Sequence, residues 1–220
     1  TASGPGTFPA TAANLSGVTD GSVDWGDFDE DGDLDLLVVG DGGDFTPTAT
    51  IYENTESGFS PLNAGLTGTY YAAAAWGDYD GDGDLDVVIT GNDGDGPSAA
   101  IYENDVENGN GFSAINAGLT GVEQGAVDWG DYDGDGDQDL LVAGDDSNGD
   151  PTATIYDNDV ENGNGFTAVG ASLTGVREAS VDWGDYDADG DLDLAITGID
   201  ASETSSTTIY ENTGNGTFSA

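Results

Sequence analysis

The stretch VDWGDFDEDGDLDLLVVG, residues 23–40, decides the fold, because it returns three times. It reappears as AAWGDYDGDGDLDVVITG at 74–91, VDWGDYDGDGDQDLLVAG at 127–144 and VDWGDYDADGDLDLAITG at 181–198. Trp25, Trp76, Trp129 and Trp183 mark the period, at spacings of 51, 53 and 54 residues. Self-similarity of that length signals a repeat architecture and takes precedence over any local preference.

Three shorter words accompany each copy. IYEN stands at Ile51, Ile101 and Ile209, with IYDN at Ile155. A Gly-Phe word stands at Gly58, Gly111 and Gly165, with GTFS at Gly216, and a Leu-(Ser/Thr)-Gly element at Leu15, Leu66, Leu119 and Leu173. Each period therefore holds four short apolar runs divided by Gly, Asp and Asn. Runs such as LDLLVV and TATIYEN are β-branched, aromatic and too short for helices. The expected fold is all-β: a β-propeller of four four-stranded blades within one repeat domain spanning residues 1–220.

Inside each copy lies an acidic loop. Asp27, Asp29, Asp31, Asp33 and Asp35 fall at loop positions 1, 3, 5, 7 and 9, with Gly32 at position 6. Alternate carboxylates at 1, 3 and 5 converge, Gly makes the sharp turn, position 7 offers its backbone carbonyl, and position 9 closes the shell. An all-oxygen set of this kind suits Ca²⁺ and disfavours zinc and copper. The register repeats at Asp78, Asp80, Asp82, Asp84 and Asp86, then at Asp131, Asp133, Asp135, Asp137 and Asp139, and at Asp185, Asp187, Asp189, Asp191 and Asp193. About four Ca²⁺ per chain are expected, one per loop. An EF-hand also needs an acid at position 12 and flanking helices; position 12 here is Val38, Ile89, Val142 or Ile196, each inside an apolar run.

These loops resemble the FG-GAP/VCBS repeats found in integrin α-chain propellers and many bacterial surface proteins, and the resemblance covers nearly the whole chain. It implies that each loop joins the first and second strands of a blade and holds Ca²⁺ through the residues just named. Two departures stand out. Family propellers commonly have more blades than the four repeats here, and the family's Phe-Gly and Gly-Ala-Pro words are replaced by Trp-Gly and variable sequence.

The ends of the chain bear on closure. GTFPA at Gly6 and GTFSA at Gly216 both read as the start of an outermost strand. Either the N-terminal segment pairs into the last blade to close a four-bladed ring, or a second chain completes an eight-bladed ring as a homodimer with two-fold symmetry.

Composition excludes several classes. The chain holds 45 Asp plus Glu against one basic residue, Arg177, for a formal charge of −44. It has no cationic surface for nucleic acid or anionic membranes, and no apolar run long enough to insert in a bilayer. Cys, His and Met are absent. No signal-peptide pattern opens the chain, as expected of a mature or excised protein. With no His, Cys or Lys to serve as nucleophile or base, and its paired carboxylates accounted for as metal ligands, the chain is expected not to be an enzyme. The 25 acids other than these twenty Asp residues read as solvated surface.

The metal loops and the third-to-fourth connections fall at one end of each blade, and the variable segments at the other. There Phe45, Tyr70, Tyr71, Glu123 and Arg177 are candidate ligand contacts, with the aromatics suited to stacking on a sugar. Drift between duplicated repeats is the competing reading, with Arg177 a lone surface cation. The functional expectation is an extracellular or cell-surface calcium-binding module that presents variable loops to a glycan or protein. The alternative is a structural half-propeller that self-assembles and has no ligand.

Overall fold

A computed structural model describes residues 13 and 15–220, apart from 107, 161, 162, 164 and 215. All its regular structure is antiparallel β, and among the described residues no helix is long and apolar enough to cross a membrane. The first unit contains β1 (Thr19–Gly26), β2 (Asp35–Asp41), β3 (Pro47–Thr55) and β4 (Gly58–Leu62). The second contains β5 (Tyr70–Gly77), β6 (Asp86–Asn92), β7 (Pro97–Asp105) and β8 (Gly111–Ile115). The third contains β9 (Glu123–Gly130), β10 (Asp139–Asp145), β11 (Pro151–Asp159) and β12 (Gly165–Ala168). The fourth contains β13 (Val176–Gly184), β14 (Asp193–Asp200), β15 (Ser205–Asn212) and β16 (Phe218–Ser219). Within each unit the strands pair in sequence order.

The burial of the second strand explains why the units stack. Leu36, Leu37, Val38 and Val39 run consecutively through β2, and all four are buried. A strand apolar on both sides needs a partner layer on each. One face of the first unit offers Phe28, Leu37, Val39 and Ile51, and the second unit covers it with Trp76, Val87, Ile89 and Tyr102. The same exchange joins the second unit to the third and the third to the fourth. Two of the Trp residues stack on the aromatic ring at the second position of the preceding unit's acidic loop. Phe28 and Trp76 stack with centroids 6.1 Å apart and planes 7° from parallel, and Tyr132 and Trp183 are 6.5 Å apart at 21°. The Phe of the Gly-Phe word completes each cluster: Phe112 lies 5.9 Å from Phe28 and 6.2 Å from Trp76.

The remaining words tie the units together. Tyr52, Tyr102, Tyr156 and Tyr210 each accept a hydrogen bond at the hydroxyl from a backbone N–H of the Leu-(Ser/Thr)-Gly element, at Ser16, Thr67, Thr120 and Thr174. The Asn that closes the IYEN word reaches the neighbouring unit. Asn104 Nδ2 donates to the Phe28 carbonyl at 2.8 Å, Asn158 Nδ2 to that of Tyr79 at 2.6 Å and Asn212 Nδ2 to that of Tyr132 at 2.7 Å. The Gly of the connecting element permits a close backbone crossing: a Cβ on Gly121 would sit 2.3 Å from the Pro97 carbonyl oxygen, and one on Gly175 2.0 Å from that of Pro151.

First strands pack side by side in series, β1 on β5, β5 on β9 and β9 on β13, with no comparable contact between β13 and β1. The first unit's outer face is consequently open. Trp25 is 53% exposed, against 8% for its counterpart Trp76. The GTFPA segment lies outside the described residues, whereas its C-terminal counterpart forms β16, with Phe218 paired to Asn212 of β15.

Asn104→Ala leaves the buried Phe28 and Leu85 carbonyls without their side-chain donor. The expected cost is about 1–3 kcal/mol, read from the shift of the urea unfolding midpoint at unchanged slope.

Candidate metal centres and the opposite loop end

Each acidic loop joins the first strand of a unit to the second, and its ninth residue is the first residue of that second strand. Placement there buries the carboxylate: Asp35, Asp86 and Asp139 are each 1% exposed. Backbone donors hold both oxygens in place. Asp35 Oδ1 accepts from Asn54 N–H at 2.7 Å and Oδ2 from Phe28 N–H at 3.2 Å, and the other three units repeat the pair. The position-9 carboxylate is thus fixed between the loop's second residue and the third strand.

Positions 1 and 3 meet it. Asp27, Asp29 and Asp35 bring one oxygen each to within 4.8 Å of one another, as do Asp78, Asp80 and Asp86, then Asp131, Asp133 and Asp139, and Asp185, Asp187 and Asp193. One Asp-rich cluster per unit is therefore placed to hold a metal ion. Asp31 and Asp33, and their counterparts Asp82, Asp84, Asp135, Asp137, Asp189 and Asp191, lie outside these trios. Position 5 shapes the turn: Asp31 Oδ1 accepts from Asp33 N–H at 2.9 Å, as Asp82, Asp135 and Asp189 do from Asp84, Asp137 and Asp191. Position 1 also braces the loop, since Asp27 Oδ2 accepts from Gly32 N–H at 3.1 Å. Its other oxygen is different. Asp27 Oδ1 and Asp78 Oδ1 are buried without a hydrogen-bond partner among the described residues. A buried carboxylate oxygen left bare in this way carries a desolvation cost that a bound cation removes, so the donor set fits a metal.

In the first three units, burial and neighbouring carboxylates raise the affinity of the carboxylates at positions 3 and 9 for protons. Desolvation pushes Asp86 and Asp139 up to about 7, and Asp35 upward, against the lowering effect of the two backbone donors on each. Asp29, Asp80 and Asp133 are raised as well, by desolvation first and by adjacent loop carboxylates.

At the other end of the units, Phe45, Tyr70 and Tyr71 come together. Phe45 and Tyr70 meet edge to face at 5.7 Å, and Tyr70 and Tyr71 at 5.3 Å. Phe45 is 70% exposed. Glu123 Oε2 accepts from Asn92 Nδ2 at 2.6 Å, Asn92 being the cross-strand partner of Tyr70, and Arg177 pairs with Glu203.

Of the residues that line a shared cleft here, sequence reasoning named Tyr71 and missed the other three. Asp20, Tyr71, Gln124 and Glu178 line a cleft of about 320 Å³ shared by all four units. Each sits in a bulge near the start of a first strand, with φ of 49°, 52°, 52° and 48°. The left-handed region is unfavourable for such side chains, and its fourfold recurrence marks a built feature. A signal existed in the sequence: the next residue is always small, Gly21, Ala72, Gly125 or Ala179.

An FG-GAP-like repeat model matches residues 27–89, 78–142 and 131–196. The chain belongs to the FG-GAP-like repeat family. Each match begins at the first Asp of one acidic loop and ends in the second strand of the next unit, so the family pattern spans the junction described above. No curated protein matches the chain.

The raised carboxyls fix the sign of a pH effect in metal-free protein. The folded state holds protons at Asp86 and Asp139 up to about pH 7, whereas an unperturbed Asp titrates at 3.8. This contribution to stability is complete below 3.8 and is lost as the pH rises through about 7. In chelator, the melting temperature is expected to fall between pH 5 and pH 8, and a saturating metal ion should abolish or reverse the trend. Thermal melts monitored by Trp fluorescence check both arms.

Proposed function

We propose that this chain is a non-catalytic calcium-binding propeller module of the extracellular space or cell surface. Its four units act as blades, and Ca²⁺ is part of the scaffold. The observation that carries the reading is the convergence of three Asp carboxylates in every unit, with a bare buried oxygen at Asp27 and Asp78. An all-oxygen set built on carboxylates favours Ca²⁺, which accepts six to eight ligands in irregular geometry, over Mg²⁺, which demands a tighter octahedron. Positions 1, 3 and 9 supply the trio. The remaining ligands come from position 5, the backbone at position 7, and water. Family membership supports the reading, and the formal charge of −44 gives the cations a further role in relieving self-repulsion.

Calcium titration by calorimetry should give about four sites per chain. Chelator should lower the melting temperature by ten degrees or more, on the order expected when ligands binding only the native state are withdrawn, and Ca²⁺ should restore it better than Mg²⁺. Asp86→Asn should remove one site from the stoichiometry. A melt unchanged by chelator would refute a structural role for the metal.

The loops opposite the metal end are the surface offered to a ligand. The exposed ring of Phe45 beside Tyr70 and Tyr71 suits the face of a sugar, with the cleft around Asp20, Tyr71, Gln124 and Glu178 next to it. A glycan array probed in Ca²⁺ is expected to give binding that Phe45→Ala weakens at least tenfold, about 1.4 kcal/mol. Silence there and against matrix proteins favours the purely structural alternative, a reading to which the edge-to-face packing of the three rings on one another also lends support.

A further inference from the structure

We infer that the two outward faces of the array are halves of one interface, and that a second copy of this chain joins them to close a ring of eight units. The three junctions inside the chain define what such an interface contains. A trailing unit contributes its Trp, and a leading unit contributes the loop aromatic, an Ile of the third strand and the Gly after its own Trp. A Cβ on Gly26, Gly77 or Gly130 would strike the ring of Trp76, Trp129 or Trp183 respectively, at 2.9, 2.6 and 2.8 Å. The fourth unit keeps the leading half. Gly184 meets nothing within 4 Å, Tyr186 is exposed, and Ile209 is 54% exposed where Ile51, Ile101 and Ile155 are fully buried. Between them lies a hollow of about 190 Å³, lined by Gly184, Tyr186, Ala195 and Ile209.

The first unit keeps the trailing half. Trp25, Val23 and Leu34 are its exposed apolar side chains. Gly17, the counterpart of Gly68, Gly121 and Gly175, has no atom within 4 Å, although each of those three touches the preceding unit's third strand. Asn54 donates through its side chain to the Leu34 carbonyl in its own unit, whereas Asn104, Asn158 and Asn212 also reach a carbonyl of the unit before. Across a fourth junction the Tyr186 carbonyl of a second copy stands where Asn54 requires an acceptor, and Trp25 fills the hollow beside Gly184. The array is curved, because residues of all four first strands face one cleft, so the same junction made twice about a two-fold axis closes on itself. A four-unit ring would instead need β13 packed on β1 as closely as β9 is on β13, and these two strands do not pack in that way.

The test weighs the chain by light scattering in excess Ca²⁺ and enough salt to screen its charge. The expected mass is twice the 22.2 kDa of the chain. Trp25→Glu and Ile209→Glu change exposed side chains and should each give a folded monomer. Mixed in equal amounts they should recover a heterodimer, since one of the two junctions then pairs an intact Ile209 face with an intact Trp25 face. A monomer at the highest soluble concentration overturns the inference. So does a dimer that survives both substitutions, or growth past the dimer into open polymers. Chelator melts on the Trp25→Glu monomer separate this outcome from failure of the calcium reading, which that variant leaves untouched.

Discussion

A four-stranded sheet with apolar side chains on both faces cannot leave either face in water, and every other property of this chain answers to that constraint. Burying an apolar side chain of Leu, Ile or Val size gains about 1.5–3 kcal/mol, and the second strands bury four of them in β2, three each in β6 and β10 and two in β14. The units are not independently stable bodies joined by linkers. Each is half of two interfaces, and the consecutive hydrophobic clusters draw residues from adjacent units. The face of the first unit that no unit covers holds a smaller cluster, Leu36, Val38 and Tyr52 with Val18 and Phe59 at its edge.

The metal loops are bound into the same interfaces. Asp35 accepts the Phe28 N–H, and the Phe28 carbonyl accepts the side chain of Asn104 from the next unit. The Phe28 ring meanwhile carries Trp76. One residue of the loop thus links the buried ligand carboxylate to the neighbouring unit's backbone, side-chain amide and indole. A cation that orders the Asp trio also orders the platform on which the next unit rests. Through this coupling an ion held by the trio would contact a single unit and its effect would reach two.

Much of this was legible in the sequence, for a physical reason. Strand, loop and core obey local rules of period and turn chemistry, and four copies in one register average out the ambiguity of any single copy. Asp27, Asp29 and Asp35 converge as their spacing requires, and the buried Ile and Tyr of IYEN follow from alternation on two faces. The misses share a cause as well. Trp25 and Trp76 occupy identical words, yet one is half exposed and the other buried, because burial depends on which unit stands next door. The cross-unit donation by Asn104, Asn158 and Asn212 is likewise invisible to spacing, since its acceptor lies some eighty residues away. The turn-forming role of positions 3 and 5 also went unread, since Asp29 and Asp31 each accept the backbone N–H two residues further on.

The acids outside the loops are the clearest case of composition misleading. Read as a group they suggest only solvation. Individually, several hold the backbone. Asp24 accepts the N–H of Trp25 through one oxygen and that of Trp76 in the next unit through the other, each at 2.9 Å, and Asp128 bridges Trp129 and Trp183 in the same way. Asp41 gathers the N–H groups of Gly43, Phe45 and Thr46 at the tip of the β2–β3 loop, and these donors, Gly43 first, draw its carboxyl below the usual range. Asp200 does likewise for Ser202 and Thr204. Short carboxylates are efficient at this because each accepts two or three donors without spanning the loop. A fold made of many tight turns and bulges exposes many such donors, so part of the acidity is a direct consequence of the architecture rather than of the surroundings. The charge that results works against the stacking that the apolar faces demand, and the Asp clusters at the same end of every unit are where bound cations would ease that conflict.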